Sequence, residues 1–115
     1  MIVISPAKKL DFNPYNVELE TTSPYFLNKT KVLVLKLKKL QPSKIRLLLN
    51  LSDKLTELNY RRYQEFSTIS QTEKQKPAIY AFSGDTYLGL SSQEFSQIEL
   101  KYAQSHLRIL SGLYG

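Results

Sequence analysis

A mixed α/β fold is what this sequence predicts, from two observations. Three short apolar runs, at residues 1–4, 77–82 and 107–110, each leave into small or turn residues. Between them lie segments whose apolar residues recur at the helical period. The exits are Ser5-Pro6-Ala7-Lys8, Ser83-Gly84-Asp85 and Ser111-Gly112. They predict a sheet of about three strands with a site assembled at its strand ends, where ligands gather in such folds. The last strand runs into Leu113-Tyr114-Gly115, which is more apolar than a usual terminus. The expectation is therefore an incomplete sheet in the front part of a longer domain.

Met1-Ile2-Val3-Ile4 does not alternate, which is the pattern of a buried, parallel or central strand. Pro6 ends it, since proline donates no ladder hydrogen bond. Lys8 then stands at the strand's carboxyl end, placed either for an anion or as an exposed loop lysine. Residues 11–23, rich in Asn, Pro and Thr, read as loop. Ser23 as N-cap and Pro24 at the first helical position start a helix that runs to about residue 39. Phe26, Leu27, Leu33, Val34, Leu37 and Leu40 fall on one side of it, and Lys31, Lys38 and Lys39 on the other. Val32-Leu33-Val34-Leu35 alone would suit a strand; lysine spacing and length favour helix.

Pro42 opens a second helix with Ile45, Leu48 and Leu49 as its apolar face. Ser52 caps a third, with Asp53 in the first turn where negative charge suits the helix dipole. Leu55, Leu58, Arg62 and Phe66 mark one face of it. Three helices with two tight breaks across residues 24–66, inserted between strands, make a helix-hairpin-helix-like segment. An ordinary helical subdomain has the same pattern, and neither turn holds a glycine.

Residues 67–76 read as surface loop, 77–82 as the second strand, 83–85 as its turn and 86–90 as irregular. Asp85, following Gly84, is a turn residue or a carboxylate placed in a cleft. Ser91-Ser92-Gln93-Glu94 and Ser96-Gln97-Ile98-Glu99 both fit a capping box. One short turn and a helix over residues 97–106 follow, with Ile98, Tyr102 and Ala103 inward. His106 closes that helix in a structural role. Leu107, Ile109 and Leu110 form a last buried strand.

Composition narrows the function. The 42% hydrophobic and 23% charged content is that of a globular domain. No apolar run reaches about 18 residues, so no membrane helix is expected, and nothing resembles an export signal, so a cytoplasmic location is expected. Cysteine is absent and His106 is the single histidine. Disulfides, thiolate metal sites and cysteine nucleophiles are excluded, and a His-based metal site or a Ser-His-Asp triad is disfavoured. No cofactor or metal is expected, and no dinucleotide or phosphate-binding glycine motif occurs. The net charge of +6 is uneven. Residues 29–62 set ten bases against Asp53 and Glu57, a balance of +8, whereas residues 63–115 set four bases against five acids. A segment of this kind suits nucleic acid, another polyanion or an anionic membrane surface. A lysine-coated, solvated helix gives the same count.

Four ordered motifs carry a resemblance. They are Ile4-Ser5-Pro6-Ala7-Lys8 with Leu10-Asp11; Ser52-Asp53-Lys54-Leu55 with Asn59 and Arg62; Ala81-Phe82, Gly84-Asp85, Tyr87 and Gly89-Leu90; and the run from His106 through Ser111-Gly112-Leu113-Tyr114-Gly115. In these the chain resembles the N-terminal part of the YaaA family, the bacterial peroxide-stress proteins. The resemblance implies a single domain about twice this long, with its C-terminal half absent here. It implies protection against hydrogen peroxide by lowering free intracellular iron, and a DNA-binding protein with a positively charged cleft and a helix-hairpin-helix element, sought here in residues 24–66. Lys8, Lys54 and Arg62 fall within matched motifs and are carried over as phosphate contacts. Lys31, Lys38 and Lys44 rest on charge alone. Ser5, Pro6, Ser52, Asp53, Asn59, Gly84, Tyr87, Gly112 and Tyr114 are motif positions. Ser83 stands where some relatives carry lysine.

The partner expected is DNA, bound electrostatically and without sequence preference; no membrane and no protein partner is indicated. The alternative is an enzyme acting on a nucleotide or nucleic acid at a strand-end pocket, with Asp85, Lys8 and Ser111 as catalytic candidates beside Ser5 and Tyr114. The lack of a nucleophile–base pair weighs against it. Direct iron handling finds no ligand set in one His and scattered carboxylates. An exposed sheet edge and half a core would leave the 115-residue chain unstable or inactive alone.

Overall fold

A computed structural model of the chain describes residues 1–66 and 75–115. The fold is mixed α/β, as the element pattern predicts. The chain divides into two units. One combines Met1–Pro24 with Glu73–Leu113 and Gly115, and the other combines Tyr25–Thr72 with Tyr114. The basic helices thus form a unit set, in sequence, between the two parts of the first. Most of the loop expected at residues 67–76 lies outside the described residues.

In the first unit, β1 (Ile2–Ile4) and β4 (Leu107–Ile109) pair in parallel, Ile2 opposite Leu107 and Ile4 opposite Ile109. Both end strands exist as predicted, but they are not buried: Ile2 is 55% and Val3 51% exposed, and Leu110 is exposed too. Two strands alone lack the covering layers that parallel sheets normally have on both faces. A second pair, antiparallel, joins β2 (Lys9–Leu10) to β3 (Phe82–Ser83). Among the described residues, two two-stranded sheets therefore replace one sheet of about three.

The expected strand at residues 77–82 is mostly helix: Ala78–Ala81 form a single turn, α4. Pro77 has the fixed φ of a helix start, and its carbonyl accepts from the amides of Tyr80 and Ala81, both at 2.9 Å. The turn buries Tyr80 and Ala81 side by side, which a strand with alternating faces does not do. Residues 85–90, expected to be irregular, form α5 (Asp85–Leu90). The Gly84 carbonyl starts it, accepting from Tyr87 and Leu88 at 3.0 and 2.9 Å.

Of the two capping boxes, one forms. Ser91 takes a left-handed φ of 48° and its hydroxyl donates to the Leu88 carbonyl, so Ser92–Glu94 is an uncapped 3-10 turn. Ser96 does cap α6 (Gln97–His106): its Oγ accepts from the Glu99 amide at 3.3 Å, and the Glu99 carboxylate accepts from the Ser96 amide at 2.7 Å. The inward face of α6 is centred on buried Leu100 with half-buried Ala103. Ile98, 81% exposed, and Tyr102 face solvent, contrary to expectation. They lie on the far side of the helix from Leu100 and Ala103, whose three-residue spacing sets the inward stripe. Residues 11–23 have no regular structure, as predicted. They are tied to α6 by Gln97 Nε2 donating to the Glu18 carbonyl and Gln104 Nε2 to Thr22 Oγ1, each at 3.1 Å.

The second unit holds α1 (Leu27–Leu37), α2 (Pro42–Leu49) and α3 (Asp53–Glu65). α1 starts after Phe26 rather than at Ser23-Pro24, without a side-chain cap. The Thr30 hydroxyl donates back to the Phe26 carbonyl at 3.3 Å, which lets a polar residue enter the core. Thr30 and Val34 are therefore the buried positions, Leu33 is exposed, and Lys31 and Lys38 are half-buried rather than on a solvated face. α2 begins at Pro42 as predicted and buries Ile45, but Leu48 is 64% exposed. The one-turn step from Ile45 to Leu49 sets its inner face. α3 begins at the predicted Ser52 cap, whose Oγ accepts from the Leu55 amide at 3.4 Å. Thr56 is its buried residue, with Leu55, Arg62 and Phe66 half-buried and Leu58 exposed. Gln64 Nε2 donates to the Lys38 carbonyl at 2.9 Å, holding α3 to the end of α1.

Candidate nucleic-acid interface

The two acids in the basic segment both face arginines. Arg46 Nη1 lies 3.1 Å from Asp53 Oδ1, and Arg61 Nε 3.2 Å from Glu57 Oε1 one turn away. Exposed pairs of this kind add about 0–1 kcal/mol. Each sets a negative charge beside an arginine and leaves the positive excess to the lysines and Arg62. Lys29, Lys36, Lys39, Lys44 and Lys54 are exposed on this unit, with Lys31 and Lys38 half-buried. Arg62 is half-buried and its Nη1 is sealed from solvent. Asn59 donates from Nδ2 to the Leu55 carbonyl at 2.8 Å, inside α3.

Lys44 and Lys54 both lie in the first turn of their helices, as the third residue of α2 and the second of α3. A cation there is opposed by the helix dipole, by about 0.3–1 kcal/mol. Asp53 offsets this in α3, whereas α2 has no acid in its first turn. Between them the chain turns at Asn50, whose φ of 49° and ψ of 60° place it in the left-handed region. Its amide, and that of Leu51 at 3.1 Å, donate to the Arg46 carbonyl. Asparagine tolerates this conformation, so the hairpin closes without the glycine whose absence stood out in the sequence.

In the first unit the three strand exits gather. Tyr87 Oη donates to the Ser5 carbonyl at 2.7 Å, and the Leu110 amide donates to the Ile4 carbonyl at 3.0 Å. A methyl placed on Gly84 would meet Ala7 Cβ at 3.6 Å, an ordinary contact, and one on Gly112 would meet nothing within 4 Å. Neither glycine is needed for close approach. Burial pushes the phenol of Tyr87 above its usual range. Lys8 is exposed in a bend after Pro6, and Asp85 is exposed at the start of α5. Ser111 is half-buried, its Oγ accepting from the Leu113 amide at 3.2 Å.

Two open depressions lie elsewhere on this unit. One of about 760 Å³ is lined by Tyr15, Val17, Glu18, Leu19, Glu20 and Gln97. One of about 300 Å³ is lined by Lys9, Leu10, Asp11, Phe12, Asn13 and Ser83. Neither takes its lining from Lys8, Asp85 or Ser111. Among the described residues, no cluster of three or more carboxylates or histidines could hold a metal ion.

Sequence reasoning missed Lys76, read as part of a surface loop. Its side chain is 5% exposed, with Nζ 3.0 Å from the Asn13 carbonyl and 3.8 Å from Asp11 Oδ1. Asp11 Oδ1 also accepts from the Asn13 amide at 2.8 Å. The signal available was Asp11 itself, a motif carboxylate in need of a partner.

Along residues 1–115 the chain matches the family described as peroxide stress protein YaaA. This protein belongs to the YaaA family. Among curated relatives, a UPF0246 protein of Saccharophagus degradans is 44% identical over 115 residues, one of Ralstonia nicotianae 45% over 116, and one of Tolumonas auensis 39% over 115. Each match covers all of this chain and 44–45% of the relative. The chain thus spans less than half the length of these relatives. The family is described as a peroxide stress protein. Among the described residues, no helix is long and apolar enough to cross a membrane.

Proposed function

We propose that this YaaA-family chain contributes to peroxide resistance by binding DNA along its phosphate backbone through α1–α3, with α2, Asn50 and α3 acting as a helix-hairpin-helix element. The observation that carries the reading is the lysine-rich surface of the second unit, where Asp53 and Glu57 are each already paired with an arginine. Lys44 and Lys54 lead the contacts, because they sit where they do their helices no electrostatic favour. Lys31 and Lys38 add charge, and Arg62, with one nitrogen out of solvent's reach, organises the hairpin. Such contacts position a protein on a duplex without reading bases. Each neutralised phosphate releases condensed cations. The reading includes limiting iron-dependent oxidative damage, which the family resemblance implies.

The test is the affinity for a mixed-sequence duplex as a function of salt. A steep linear fall of log K with log salt is expected, and Lys44→Ala and Lys54→Ala should each lower the slope by about one. An isotherm unchanged between low and physiological salt overturns the reading.

The gathering of strand exits around Ser5, Gly84 and Ser111 favours a second reading, an enzyme acting on a nucleotide or nucleic acid with Asp85, Lys8 and Ser111 in the chemistry. Asp85→Asn separates the two. Loss of peroxide protection with DNA affinity intact would favour the enzyme, and loss of neither would remove it.

A further inference from the structure

β1 pairs along one edge only among the described residues. Edge strands of soluble proteins normally carry a charge, a proline or a bulge that discourages further pairing. Met1-Ile2-Val3-Ile4 has none of these, and its first three residues are exposed. β4 differs: Leu107 and Ile109 are half-buried, and Arg108 sits between them. The asymmetry singles out the β1 edge. In this register Ile2 and Ile4 share a face with Leu107 and Ile109, while Val3 shares the other with Arg108. Parallel pairs occur almost only inside larger, covered sheets. The curated relatives are more than twice as long as this chain, so each contains a polypeptide stretch with no counterpart here.

We propose that the open edge of β1 is a docking edge for a polypeptide of the kind that makes up the unmatched part of those relatives. It delivers an apolar, β-branched strand onto Ile2–Ile4. Main-chain hydrogen bonds supply the attachment, and side chains flanking the new strand cover Ile2 and Val3, in the manner of strand addition to a sheet edge. The inference is independent of nucleic-acid binding, since β1 belongs to the first unit and the lysine surface to the second.

The test is co-expression of the tagged 115-residue chain with the unmatched part of the Saccharophagus degradans relative. A one-to-one complex is expected, in which amide exchange at residues 2–4 slows at least tenfold relative to the chain alone. Val3→Lys should cut recovery of the complex at least tenfold. Leu47→Lys, an equally drastic change at an exposed position of α2, should leave it unchanged. Retained amide protection in α6 of the Val3→Lys chain shows that the first unit is still folded. The proposal is overturned by failure to form a complex, by a complex that Val3→Lys leaves intact, or by a dimer of this chain that protects β1 and resists the added polypeptide.

Discussion

Tyr87 and Ser5, 82 residues apart, are joined by one hydrogen bond of 2.7 Å from a buried phenol to a main-chain oxygen. It fixes the exit of β1 against α5 and accounts for Tyr87 as a motif position. Tyr87→Phe keeps the ring and its stacking on Phe82, with centroids 5.6 Å apart, but strands the Ser5 carbonyl. The expected loss is about 1–3 kcal/mol in denaturant unfolding. Gly84→Ala, which meets only an ordinary contact, should cost much less than Tyr87→Phe. The reverse order would show that the glycine and not the tether sets the approach.

Alkaline pH should weaken the fold. Burial raises the phenol pKa of Tyr63, Tyr80, Tyr87 and Tyr114. The folded state therefore holds these protons more tightly than the unfolded chain. Their contribution is whole below the ordinary tyrosine pKa of about 10 and declines as pH rises from there through the folded values. Unfolding midpoints measured from pH 8 to 11 should fall over the upper part of that range, less steeply in Tyr87→Phe.

The α6 cap has the opposite pH sign. Hydrogen bonds from Ser96, side chain first and then backbone, hold the Glu99 carboxyl below the usual glutamate range. Its contribution is present above the ordinary glutamate pKa and is lost as pH falls through the folded value. Amide exchange in the first turn of α6 should speed up on acidification, and Glu99→Gln should remove that dependence. Ser96→Ala should destabilise by about 1 kcal/mol at neutral pH. Equal protection of this turn at pH 3 and pH 6 in the native protein would rule the cap out as an acid-sensitive element.

The elements that sequence reading located are those whose determinants are local. Ser52 and Ser96 announce their helices because a cap needs only its own first turn, and Pro42 does the same by its missing amide. Residues 77–82 failed because six apolar residues suit a strand or a buried helical turn equally, and periodicity cannot separate the two. The inner face of α1 was misplaced because burial of Thr30 depends on a hydrogen bond to Phe26 that no hydropathy pattern encodes. The strand positions of β1 were legible, but their exposure was not, since burial depends on what else covers the strand. At the candidate interface, charge alone revealed the lysines. The i,i+4 pairing of Glu57 with Arg61 was also readable in principle. The pairing of Arg46 with Asp53 across a turn, the sealing of Arg62 and the ion pair of Lys76 are tertiary, and no local rule reaches them.

Asn50 allows the geometry of the hairpin to be tested apart from its charge. Its left-handed backbone costs a β-branched residue about 1–2 kcal/mol and costs glycine nothing sterically. Asn50→Val should therefore destabilise the second unit by about that amount and Asn50→Gly by much less, measured by denaturant unfolding. Neither changes the net charge. If α2 and α3 meet a phosphate backbone as a fixed pair, Asn50→Val should also weaken duplex binding at constant salt while leaving the salt slope within error of the native value. Lys44→Ala and Lys54→Ala should instead lower the slope and leave stability nearly untouched. If Asn50→Val is destabilised as expected yet binds the duplex with native affinity, the lysines act as a diffuse cationic surface, and the hairpin geometry has no part in recognition.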